Sequence, residues 1–100
     1  DIEGLTGEEI KDVFADVPST QLPRIQFEGP GKPVIDLMVE SGLASSRGDA
    51  RRSVEGGGVY VNNQRVETVD ADVTADSAIE GRFLLLRKGK KSYHLVALLR

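Results

Sequence analysis

Arg47, Arg51 and Arg52 are the residues of this sequence best suited to gripping an anion. On a helix at about 100° per residue, Arg47 and Arg51 lie about 40° apart and Arg52 about 100° further round, so the three fan out beside an apolar stripe of Ala50 and Val54. A guanidinium presents forked donors that match phosphate oxygens, and free N–H groups at a helix start attract the same charge. Ser46 stands where it would cap that helix. The competing reading is a solvated face whose arginines pair with Asp49 and Glu55, and spacing alone leaves the two even.

Arg87, Lys88, Lys90 and Lys91 form a second basic cluster on an expected hairpin tip, a place from which side chains can enter a nucleic-acid groove or follow its backbone. Tyr93 and His94 stand beside it. An aromatic near lysines can stack on an unpaired base, but packing within the sheet is the favoured reading for Tyr93 and still more for His94.

Other letter patterns fail on context. Lys88-Gly89-Lys90-Lys91-Ser92 is superficially like the lysine-rich signature loop of class I synthetases, yet it joins two strands with no nucleotide-binding fold before it. Gly56-Gly57-Gly58 follows a helix instead of opening one, so it reads as a helix stop and not as a phosphate cradle. Asp70, Asp72 and Asp76 have the spacing of a calcium loop, but Ala75 replaces the turn glycine and Gly81 the bidentate glutamate. With one histidine, no cysteine and no serine beside a plausible base, neither a zinc site nor a nucleophilic triad assembles. No metal or cofactor is expected, and the chain reads as noncatalytic.

The formal net charge of -3 argues against nucleic acid until its distribution is considered. Residues 1–33 carry seven acids (Asp1, Glu3, Glu8, Glu9, Asp12, Asp16, Glu28) against three bases (Lys11, Arg24, Lys32), whereas residues 82–100 carry six bases and no acid. One hundred residues at 39% hydrophobic content fit one small domain, without the roughly eighteen apolar residues in a row that a membrane span needs. Asp1-Ile2-Glu3 lacks the pattern of a secretory signal, and the absence of cysteine suits a cytoplasmic setting.

These clusters need elements to hold them. Thr6 with Glu9 reads as a capping box opening a short helix whose Ile10, Val13 and Phe14 recur until Pro18. From Pro18 to Pro33, prolines and glycines favour turns or extended chain, with a strand-like piece where Ile25 and Phe27 alternate. Pro33 suits a first helical position, and Val34, Leu37 and Met38 make a stripe that Gly42 ends. Ser46 caps the next helix, with Asp49 in the reciprocal role usually given to glutamate, and Gly56 to Gly58 end it. The short link Leu43-Ala44-Ser45 makes the two helices a packed pair. Val59 and Val61 alternate with Tyr60, Asn62-Asn63 supplies the positive backbone angles of a hairpin turn, and Arg65-Val66 returns. Residues 67–81 look acidic and irregular, and Phe83 to Arg87 and Ser92 to Leu99 read as strands.

The run from Val34 to Val39, then Gly42-Leu43-Ala44-Ser45-Ser46-Arg47-Gly48-Asp49-Ala50-Arg51-Arg52 and Gly57-Gly58-Val59-Tyr60-Val61-Asn62-Asn63-Gln64-Arg65-Val66, resembles the RNA-binding domain named after small-subunit ribosomal protein S-four. The ending from Glu80-Gly81-Arg82-Phe83 through Arg87-Lys88-Gly89-Lys90-Lys91 to Val96 resembles the tail of tyrosyl-tRNA synthetases. The opening Leu5-Thr6 to Asp16-Val17-Pro18 is similar to the segment that follows their catalytic body. Asn63 departs from the usual glycine, which asparagine can replace in the left-handed region. Residues 19–31 match nothing in that pattern.

The resemblance implies an S-four-like α+β fold, a helix pair packed on a small, mostly antiparallel sheet, with an extra N-terminal helix. It divides the chain into an N-terminal helix and Pro/Gly-rich linker, 1–33, and an RNA-binding domain, 34–100. It implies binding to tyrosine tRNA at the anticodon stem and long variable arm, on behalf of a bacterial-type homodimeric ligase. ATP-dependent attachment of tyrosine falls to a catalytic domain elsewhere in that enzyme, and Asp1 then marks a cut in a longer chain. By position, the implied contacts are Ser46, Arg47, Arg51, Arg52, Asn62, Arg87, Lys88, Lys90 and Lys91. Two alternatives stand beside this: an S-four-like module of a ribosome-associated or RNA-modifying protein, and a protein-interaction module using the acidic first helix.

Overall fold

Capping and turn residues cut this chain into short elements, which the computed structural model describes for residues 4–100. Asp1, Ile2 and Glu3, read above for a secretory signal, lie outside the described residues. Helix α1 spans Gly7–Val13, and its capping box is complete: the Thr6 N–H donates to Glu9 Oε1 at 2.9 Å and the Glu9 N–H to Thr6 Oγ1 at 3.2 Å. Ile10 is fully buried, but Val13, expected on the same stripe, is 63% exposed. The helix stops there, and Phe14 takes the place against the neighbouring apolar cluster.

The Pro/Gly-rich stretch holds a strand, though not the expected one. Strand β1 spans Ser19–Pro23, whereas Arg24–Phe27 forms one 3-10 turn, with Phe27 buried and Ile25 turned out. Extended alternation at Ile25 and Phe27 was the wrong period: a tight turn can also bury one of two apolar residues and expose the other. Strand β2, Lys32–Pro33, leads into α2, Val34–Glu40, for which Pro33 serves as the residue before the first turn and not as its first member. Gly42, at φ 82°, ends that segment as expected.

Helix α3 spans Arg47–Glu55 and ends at Gly56, with Gly57 at φ 75°. Ser46 Oγ accepts from the Asp49 N–H at 3.0 Å, but the Asp49 carboxylate reaches one residue further back than expected and accepts from the Ser45 N–H at 2.9 Å. Strand β3, Val59–Val61, turns through Asn62 and Asn63, at φ 48° and 67°, into β4, Gln64–Arg65. The acidic stretch after it is irregular except for β5, Asp72–Val73, and a 3-10 turn at Ala75–Ser77. Strands β6, Phe83–Lys88, and β7, Ser92–Leu99, close the hairpin at Gly89 to Lys91.

Five strands form one sheet in the order β1-β7-β6-β3-β4, antiparallel except for the parallel pair β1 and β7, while β2 and β5 pair separately. The sheet therefore draws on both sides of residue 33. Alternation along β6 and β7 divides the core in two. Leu84, Leu86, Val96 and Leu98 face the helix pair with Val34, Leu37, Met38, Ala50 and Val54, and Phe27 joins them. Phe83, Leu85 and Leu95 face the other way and are covered by Ile10 of α1. At about 1.5–3 kcal/mol for each large apolar side chain buried, both faces help to hold the sheet. The result is the expected α+β arrangement, a helix pair on a mostly antiparallel sheet with an added first helix.

His94 ties β7 to β1: its Nε2 and the Thr20 hydroxyl lie 2.6 Å apart in a hydrogen bond, and burial pushes the imidazole below its ordinary value near 6.5. The unfolded chain takes up this proton around pH 6.5, and the folded one only at lower pH. The stabilisation is thus fully present above about pH 6.5 and is lost as pH falls toward the folded value. The urea midpoint is expected to drop more steeply from pH 7 to 5.5 in the parent than in a His94→Gln variant. Identical slopes would remove His94 from the effect.

Candidate nucleic-acid interface

Short links set α3 against the sheet so that its N-terminal turn meets the end of β6. Lys88 Nζ donates to Asp49 Oδ2 at 3.0 Å, and the Gly89 N–H donates to the Gly58 carbonyl at 2.7 Å, so the hairpin tip is tied to α3 at both ends of the helix. The Ser45 N–H and then the Lys88 ammonium hold the Asp49 carboxyl below the usual carboxylate range, which keeps the tie charged at neutral pH. The two basic clusters that the sequence separates by some forty residues thus share one edge of the molecule.

Within that edge the cations divide into two kinds. Arg47 is bonded to Asp36 of α2, and Lys88 to Asp49, so both already have acid partners. Arg51, Arg52, Lys90 and Lys91 are exposed, and none of them is in an ion pair with a described acid. Gly48 explains the path of Arg52: a Cβ there would stand 3.2 Å from Arg52 Nη1, so the side chain runs back over a bare backbone toward the helix start. Four cations without a described acid partner, on adjoining elements, make a surface that can neutralise several phosphates at once.

The remaining candidates have structural duties. Ser46 is occupied as the helix cap. Asn62 is buried, its amide donating to the Ser77 carbonyl while its Oδ1 accepts from the Leu85 N–H at 2.7 Å. Both ends of that side chain are taken up by the protein, because a left-handed turn beside β6 leaves backbone groups that the side chain satisfies. Asn62 therefore anchors the turn through its side chain. Tyr93 packs against the α1 cluster and His94 is buried, as the packing reading expects.

Tyr60 was not singled out from the sequence. Its ring lies under Arg87, whose guanidinium carbon is 3.8 Å from the ring centroid. Strand alternation could have put Tyr60 opposite Val59 and Val61, but pairing it with Arg87 needs the register of β3 on β6, which no local signal carries. A surface cavity of about 780 Å³ beside Asn62 has the charged lining Glu67, Asp72, Asp76 and Glu80 against Arg65, a poor match for phosphate. Among the described residues no cluster of three or more metal-ligating side chains is arranged to hold a metal ion, and no helix is long and apolar enough to cross a membrane.

Known proteins share this sequence and fold. The family model described as tyrosine–tRNA ligase SYY-like C-terminal domain matches residues 9–96. Tyrosine–tRNA ligase of Roseiflexus castenholzii is 43% identical over 97 residues, covering 97% of this chain and 23% of the relative. The ligase of Geobacillus stearothermophilus is 41% identical over 96 residues, covering 96% and 22%. The chain thus spans less than a quarter of the length of these curated relatives. A solution structure of a tyrosyl-tRNA synthetase C-terminal domain superposes with a TM-score of 0.74 at 38% identity, covering 99% of this chain and 95% of that one.

Proposed function

Because the chain belongs to the tyrosine–tRNA ligase C-terminal domain family, we propose that it is the tRNA-gripping part of such a ligase and that its ligand is tyrosine tRNA. One observation carries the reading: α3 and the β6–β7 hairpin adjoin, with Arg51, Arg52, Lys90 and Lys91 free of described acid partners. Arg47 and Lys88, held by Asp36 and Asp49, serve mainly to fix α2, α3 and the hairpin relative to one another. The four free cations neutralise backbone phosphates, and the shape of the edge selects a structured RNA.

In this reading the anticodon stem and long variable arm lie along the edge, while tyrosine activation and transfer occur on a catalytic domain of a homodimeric, cytoplasmic enzyme. Four neutralised phosphates imply a log–log slope of affinity against salt between about -3 and -4, taking the duplex and single-strand values as guides. Titration with tyrosine tRNA at several salt concentrations measures this slope, and binding indifferent to salt would sink the proposal. Amide shifts followed in parallel with tyrosine tRNA and with a tRNA lacking a long variable arm test the specificity. Shifts that include α3 and the hairpin, and are larger with tyrosine tRNA, are the expected result.

A further inference from the structure

Across the end of the sheet, on the face away from α2 and α3, backbone register places four residues in one row: Arg65 of β4 opposite Tyr60 of β3, Tyr60 opposite Arg87 of β6, and Arg87 opposite Tyr93 of β7. Cationic and aromatic side chains alternate along it. Helix α1 covers Phe83, Leu85 and Leu95 on this face, and its last contact is the Phe14 ring, 6.2 Å from the Tyr93 ring. Tyr60 is half-buried and Arg65 is exposed.

Arg87 behaves differently from the other arginines at this edge. No described acid pairs with it, yet it is not a loose solvated cation: its guanidinium carbon stands over the Tyr60 ring, 3.8 Å from the centroid, and its Nη1 donates to the Gly89 carbonyl at 3.1 Å. A planar group held from below by a ring and from the side by a carbonyl has already lost the rotamer freedom that binding would cost. Nucleobases stack on aromatic rings and on arginine planes alike, and an unpaired base offers the flat, electron-rich partner that this stack lacks. Lys90 and Lys91 follow on the same hairpin, so a phosphate next to the stacked base has cations within the same turn.

We infer that the Tyr60–Arg87 stack, flanked by Arg65 and Tyr93, is a platform for an unpaired nucleobase, a contact distinct from the phosphate grip of α3. The inference rests on the RNA-binding reading above and adds a different kind of contact to it. The platform reads base planes and the arginine helix reads charge, so the two respond differently to substitution.

The test uses the full chain, tyrosine tRNA, and a fully paired RNA duplex of similar length. Tyr60→Leu removes the ring at similar bulk, and Arg87→Lys keeps the charge but removes the plane. Each is expected to weaken tRNA binding by about tenfold while leaving duplex affinity and the salt slope unchanged. Tyr60→Phe, which keeps the ring, is expected to bind as the parent does. If Tyr60→Leu melts early, Arg87→Lys carries the test alone, with circular dichroism as the check on folding. Equal losses for tRNA and duplex, or none for either ligand, would overturn the platform provided that Arg51→Glu still weakens binding. If Arg51→Glu has no effect either, the fault lies in the RNA reading itself.

Discussion

Replacing Phe27 with alanine is expected to leave much of the domain unfolded at moderate temperature. The side chain is fully buried in the cluster between the helix pair and the sheet, and phenylalanine-to-alanine changes at such sites cost about 3–5 kcal/mol through lost transfer energy and a residual cavity. A domain of this size has a net stability of roughly 5–15 kcal/mol and sits toward the lower end, because small cores bury a smaller fraction of their surface. The loss is therefore a large share of the whole. Urea unfolding followed by far-ultraviolet circular dichroism measures it, with Ile25→Ala as the control. Ile25 is 75% exposed two residues away, and its removal is expected to shift stability by no more than about 0.5 kcal/mol. Matching midpoints for the two variants would show that Phe27 does not anchor the 3-10 turn to the core.

The second large effect is on binding. The double change Arg51→Glu with Arg52→Glu is expected to lower affinity for tyrosine tRNA at least a hundredfold. Hydrogen bonds to charged groups contribute about 1.5–3 kcal/mol each, and every 1.4 kcal/mol is about tenfold in affinity. Reversed charge adds repulsion to the lost contacts. Both residues are exposed and neither is in an ion pair with a described acid, so the circular dichroism spectrum and melting temperature are expected to stay close to the parent's. Unchanged affinity in a folded double variant would take α3 out of the interface.

Local chemistry made most of the elements legible before the structure. Thr6 with Glu9, Ser46, Gly42, and the pair Asn62-Asn63 each signal through backbone needs that only a few residue types meet, and each lies where its element begins, ends or turns. Within residues 19–31 the prolines and glycines signalled turns or extended chain but did not place strand β1. Strand β1 lies parallel to β7 and takes its register from Ser19 opposite Leu95, a pairing decided by distant residues and not by its own alternation. The same limit applies to the interface. The arginine types and helical spacing were visible, but which cations have acid partners depends on Asp36 meeting Arg47 and Asp49 meeting Lys88 across elements. For Asn62 the turn was readable, but the burial of its side chain against Leu85 and Ser77 was not.

Strand β7 lies between β1 and β6, and its bond partners Thr20 and His94 are 74 residues apart in sequence. A ribosome delivers the chain from its N-terminal side, so β1 emerges early and must wait, with its edge groups open to water, until β7 has been made. Helix α1 waits too, since Leu95 of β7 belongs to the apolar patch it covers. Helices α2 and α3 with the β3–β4 hairpin can form from near neighbours, whereas closing the sheet requires a long loop to be drawn shut. Both helices are too short to hold alone and share their apolar cluster with Val96 and Leu98 of β7, so the arginine surface is fixed in place only once β7 has been synthesised.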